Sequence, residues 1–136
     1  MKRSYLEHDA QAEVVRWLRA AGILFCAIPN GARTSMGVAR KLKAEGLQKG
    51  APDLLIFDPP PRSVQITTVD RVNGTIGMRS FVGLALEMKA PNGAKPRPEQ
   101  IEWADALKNR GWVTLTCYGA AEALRELAAL GYRVPG

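Results

Sequence analysis

The sequence predicts an α/β fold: one mixed β-sheet flanked by helices, with a long β-hairpin insertion. Three features carry that reading. Apolar runs of strand length alternate with stretches of helical periodicity, glycine and proline punctuate the junctions, and Asn73-Gly74 joins two strand-like segments. A chain of 136 residues suits one domain, spanning 1–136, with a single core.

Leu6 to Ala21 has the helical repeat and stops at Gly22, with Ser4 or Asp9 placed to cap its start. With Leu18 at the centre of one face, Glu7, Gln11, Val14 and Val15 share that face, whereas Glu13 and Arg16 lie opposite. Two polar residues, Glu7 and Gln11, thus sit a turn apart on a core-facing stripe and need partners. Ile23 to Ile28 reads as a strand closed by the turn residues Pro29-Asn30-Gly31. Arg33 to Glu45 is basic and Ala-rich, with Val38 and Leu42 at helical spacing, and predicts a short helix or ordered loop ending at Gly46.

Gly50 and Pro52 bracket the approach to a second strand, Leu54 to Phe57, which Asp58-Pro59-Pro60-Pro61 stops. Val64 to Val72 and Thr75 to Leu86 predict a hairpin turning at Asn73-Gly74, its second arm running on into Glu87-Met88-Lys89. The outer part reads equally as an arm, a lid, a dimer contact or a plain surface hairpin. Arg97-Pro98-Glu99-Gln100 opens a helix, Pro98 suiting its first turn, and Ile101, Ala104, Leu107 and Lys108 continue it to Asn109-Arg110-Gly111. Trp112 to Tyr118 is the last strand and Ala120 to Leu130 the last helix.

Composition narrows the function. A net charge of +6 favours polyanionic partners. Arg33, Arg40, Lys41, Lys43 and Lys49 precede Asp53, and Lys95 and Arg97 follow Lys89, an arrangement suited to a phosphate backbone held beside a metal. No apolar run is long enough to span a bilayer and no apolar signal region follows the N-terminus, so a cytoplasmic protein with no membrane partner is expected. Cys26 and Cys117 lie far apart with no Cys-x-x-Cys spacing, which argues against zinc and reads as two reduced thiols in the core.

The chemistry centres on Asp53, at the mouth of the second strand, and Glu87-Met88-Lys89. Alternation puts Glu87 and Lys89 on one strand face, so pairing that sets Asp53 beside Glu87 would converge two carboxylates and an ammonium. Such a pair suits Mg²⁺, which takes one or two protein carboxylates and completes its octahedron with water and phosphate. Lys89 would orient a water, act as base if its pKa falls, or stabilise charge at the phosphorus; the residues do not choose. The plainer reading is a salt bridge beside a strand-end aspartate. Gln100, on the helix that follows Lys89, and Glu7 with Gln11, on the first helix, add polar groups that can reach the same place.

Asp53 after Pro52, followed by Glu87-x-Lys89, resembles the PD-(D/E)XK nuclease superfamily. The segments Glu7-His8-Asp9-Ala10-Gln11, Ile28-Pro29-Asn30-Gly31, Lys41 to Asp53 and Pro98-Glu99-Gln100 resemble, more narrowly, the stand-alone VRR-NUC domain of bacteria and their phages. The resemblance runs from about Glu7 to the final helix. It implies a restriction-endonuclease-like fold, dependence on Mg²⁺ or Mn²⁺, and homodimers that cleave branched DNA such as four-way junctions. By position, Asp53 and Glu87 become metal ligands and Lys89 catalytic, with Gln100, Gln11 and Glu7 in support. The candidate DNA contacts are Asn30, Arg33, Arg40, Lys41, Lys43, Lys49, Lys95 and Arg97. The chain departs from the family pattern in its long stretch from Arg62 to Phe81, and in Arg97, which stands where a serine is usual before Pro-Glu-Gln. A basic DNA-binding module without catalysis is the alternative from another class. Cleavage of RNA is a third, for which the stacked aromatics of a single-strand reader are missing.

Overall fold

The computed structural model describes residues 3–29 and 35–133. In chain order its elements are α1 (Arg3–Ala20), β1 (Phe25–Ala27), α2 (Met36–Ala44), β2 (Leu54–Ile56), β3 (Val64–Val69), β4 (Ile76–Ser80), β5 (Gly83–Lys89), α3 (Pro98–Lys108), β6 (Trp112–Tyr118) and α4 (Ala120–Ala129). Four strands form one mixed sheet ordered β1-β2-β5-β6, and β3 pairs with β4 in a separate two-stranded sheet. β1, β2 and β5 run antiparallel in sequence, whereas β5 and β6 are parallel, joined by the α3 crossover.

Alternation along β5 divides the molecule. Leu84, Leu86 and Met88 face one way and are buried with Leu54 and Ile56 of β2, Val14 and Leu18 of α1, and Ala123 and Leu127 of α4. This is the core, and each fully buried Leu or Ile contributes about 1.5–3 kcal/mol. Ala85, Glu87 and Lys89 face the other way, towards α3. The one buried residue of α3 is Gln100. A helix whose inward residue is an amide has a polar destination.

Several expectations need correction. α1 starts at Arg3, since nothing from Arg3 to His8 breaks a helix, so Asp9 lies within it rather than at its cap. Ala10, Val14 and Leu18 form its buried line, while Glu7 and Gln11 are only half-buried. Ile101 of α3 points out, 48% exposed, because α3 turns Gln100 to the sheet instead. Cys117 is buried as expected, but Cys26 is exposed because β1 is an edge strand.

The hairpin differs most. Its second arm does not run continuously into β5: Val82 N–H turns aside to donate to Gly111 O at 2.8 Å, and β4 ends at Ser80. The loop is wider than a two-residue Asn-Gly turn. Asp70 Oδ1 accepts from the N–H groups of Val72 and Asn73, and Asp70 N–H donates to Thr75 O, leaving Gly74 the φ of +74°. Asn30 and Arg33, two of the expected DNA contacts, lie outside the described residues.

Candidate active site

Asp53 is the residue before β2. Continuing the antiparallel register from Leu54 opposite Leu86 places it opposite Glu87. Its Oδ2 accepts from Met88 N–H at 2.7 Å, which pins the carboxylate against β5. The Glu87 carboxyl lies within hydrogen-bonding reach of Asp53. Burial first, and then the Asp53 charge, push Glu87 up to about 8, with Lys89 and Arg97 pulling the other way. Burial and the neighbouring carboxyl thus favour the protonated form of Glu87.

Gln100 ties the group together. Its Oε1 accepts from Lys89 Nζ at 3.0 Å and from Arg97 N–H at 2.9 Å, and its Nε2 donates to Glu87 Oε1 at 2.9 Å. The amide is oriented by charge: its carbonyl faces the ammonium and its NH₂ the carboxyl. Lys89 is 8% exposed, an uncommon place for an ammonium, and this bond fixes it. Gln100→Leu removes three hydrogen bonds at once. We expect it to cost about 1–3 kcal/mol in urea unfolding, because Lys89 and Glu87 lose a buried partner.

Gly50 makes the close approach possible. It has φ +88°, and a Cβ there would lie 2.7 Å from the backbone of Glu99 at the start of α3. Gly50→Ala is expected to destabilise the fold by about 2–4 kcal/mol, read from the urea midpoint, since α3 must move off the site. Beside Glu87 a narrow crevice is lined by Gly50, Pro52, Ala85, Ala104, Thr114 and Thr116.

Of the basic residues, Lys49 and Arg97 meet at the mouth of the site. Glu99 Oε1 lies 3.7 Å from Lys49 Nζ and 3.4 Å from Arg97 Nε. Its own backbone N–H, and then the Lys49 and Arg97 cations, hold the Glu99 carboxyl below the usual range. Arg40, Lys41, Lys43 and Lys95 are exposed, the first three on α2, which Ser35 caps by accepting from Val38 N–H at 3.2 Å. Through Val14 and Leu18, α1 packs on the face of the sheet opposite to the one that carries Glu87 and Lys89. Sequence reasoning missed Glu99 and the two threonines. Thr116 stands beside Glu87 in the parallel register, so alternation along β6 was its signal. Glu99 had none, because its partners converge only in three dimensions.

The residues present fit a divalent cation. Two adjacent carboxyls relieve their repulsion by keeping a proton, which a cation can replace, and oxygen is the ligand that a hard cation takes. Among the described residues no group of three or more His, Cys, Asp or Glu gathers, so the protein would offer two carboxylates and leave the remaining positions to water and substrate.

The fold and this cluster define an α/β protein with a mixed four-stranded sheet and a two-stranded hairpin. The VRR-NUC domain model matches residues 3–121, most of the chain, and the protein belongs to that family. A solved structure described as a VRR_NUC domain protein is similar at 19% identity with a TM-score of 0.63, covering 93% of this chain and 88% of its own, which supports the shared fold. No curated protein matches. Family membership implies a nuclease of the PD-(D/E)XK type, with a divalent metal and DNA binding. Among the described residues, no helix is long and apolar enough to cross a membrane.

Proposed function

We propose that this chain, acting as a single domain, is a Mg²⁺- or Mn²⁺-dependent DNA endonuclease that hydrolyses phosphodiesters in branched DNA, four-way junctions above all, as a homodimer. The observation that carries the reading is the unit Glu87–Gln100–Lys89, one acid and one buried cation held by a single amide, with Asp53 pinned beside it by Met88 N–H.

Asp53 and Glu87 are assigned to the metal. When bound, the ion supplies a Lewis acid for the phosphoryl oxygen and lowers the pKa of a bound water. Lys89 donates to Gln100 Oε1, which holds its ammonium in place, and is assigned to orient the attacking water and to meet negative charge growing on the phosphoryl oxygens. Gln100 is a positioning residue, holding Lys89 and Glu87 in mutual register. Glu7 and Gln11, half-buried on α1, are proposed as supports from the far face rather than as ligands. Lys49 and Arg97 at the site, the exposed Lys95, and Arg40, Lys41 and Lys43 on α2, with Asn30 and Arg33, are proposed to hold the backbone. Glu99 must release Lys49 and Arg97 when a phosphate takes its place.

The test is cleavage of a synthetic four-way junction against linear duplex of the same sequence, with and without Mg²⁺ or Mn²⁺. Metal-dependent incision of the junction in preference to duplex is the expected result. Salt-dependent binding with no cleavage of any DNA form would instead favour a non-catalytic binding module.

A further inference from the structure

The β3–β4 hairpin carries an apolar face that none of the described residues covers. In the register, Val64 stands opposite Ser80, Ile66 opposite Met78 and Val69 opposite Ile76. Residues directly opposite share a face, as do Ile76, Met78 and Ser80 by alternation. In a regular strand Val69 would point away from Val64 and Ile66. The irregularity between Ile66 and Thr68 inserts one extra residue and returns Val69 to their side. Five apolar side chains therefore lie on one face, and each is at least half exposed: Val64, Ile66, Val69, Ile76 and Met78. The other face is the polar one. Gln65 reaches back to the turn at Gly111, Thr68 packs over Gly77, and Arg79 lies on this side.

We propose that a second copy of this chain docks on that face, hairpin against hairpin about a two-fold axis. Two observations select this occupant. None of the six positions on the face is charged, so it is a surface across which two chains of net charge +6 can meet without apposing like charges. The area also suffices: the five side chains present about 500 Å² per copy, so two facing copies bury roughly 1,000 Å² of apolar surface, the threshold of a specific interface. Each hairpin gains as well, because a two-stranded sheet on its own is marginal in water. A two-fold contact of this kind uses the same patch twice and closes at two copies. The inference deepens the homodimer reading above and does not depend on the nuclease chemistry.

Sedimentation equilibrium of wild type, Ile66→Asp and Met78→Asp tests it, with Val72→Asp in the loop as the control for added charge. Wild type and the control should sediment at twice the chain mass, and both face variants should dissociate at least 100-fold more readily, with circular dichroism unchanged. Ile66→Thr with Met78→Thr keeps strand propensity and decides by the same measure if the aspartates unfold the hairpin. A wild-type dimer that survives these changes overturns this interface and leaves the homodimer standing. A wild-type monomer overturns both, leaving the face to a different protein.

Discussion

Lys89→Met should abolish cleavage, lowering the rate by roughly 10²–10³-fold or more, while leaving the metal site able to bind. Methionine keeps the length of the side chain in a position that is 8% exposed, so the fold should survive, at the cost of the bond to Gln100 Oε1. That oxygen still accepts from Arg97 N–H, so Gln100 stays in place. Removing a cation beside two acids also favours divalent binding. Mg²⁺ should therefore raise the melting temperature of Lys89→Met at least as much as that of wild type. Asp53→Ala should lose both the cleavage and the Mg²⁺ effect. That split separates a catalytic cation from a ligand, and from mere structural damage. Undiminished cleavage by Lys89→Met would remove Lys89 from the chemistry, whatever its place beside the acids.

The same cluster shows what the residues disclose in order and what they do not. Leu54 to Phe57 and Trp112 to Tyr118 read as strands between turn residues; the first forms over Leu54–Ile56, one residue shorter, and the second as bounded. Pro98 at the first turn of α3 and the glycine before α4 mark helix starts from local chemistry alone. Asp53 beside Glu87 follows from strand period and antiparallel pairing, so it too is legible. Gln100 was legible as a polar residue near the site, but its three bonds depend on how closely α3 approaches Gly50, a tertiary distance. The break between β4 and β5 left little mark. Between Met78 and Leu86 the clearest departures from good strand formers are Ser80 and Gly83, and the chain parts between those two residues, where Val82 N–H donates to Gly111 O in the turn after α3. The phase correction that gathers Val69 with Ile66 is likewise a property of pairing, invisible in a single strand.

Metal affinity should rise with pH well above the range in which an ordinary glutamate titrates. In the metal-free protein Glu87 sits at about 8 instead of 4.5. A raised folded value means that the folded state holds a proton the unfolded chain releases. This group's contribution to stability is thus fully present below pH 4.5 and is lost progressively as pH rises to about 8, where the folded state ionises too. Glu87→Gln should flatten that slope and stabilise the metal-free protein at pH 8 by about 1–2 kcal/mol, allowing for solvent at a half-buried site. Mg²⁺ must displace the proton to use both carboxylates, so its affinity should climb by roughly tenfold per pH unit between about 5 and 8. Calorimetry in buffers of different ionisation enthalpy should find close to one proton released per ion at pH 6.5 and few at pH 9. Asp53→Asn removes the second cause of the shift but not the burial, so its own slope should move only partly back towards acid. Binding of Mg²⁺ without proton release at pH 6.5 would mean that Glu87 keeps its proton and that Asp53 holds the ion without it.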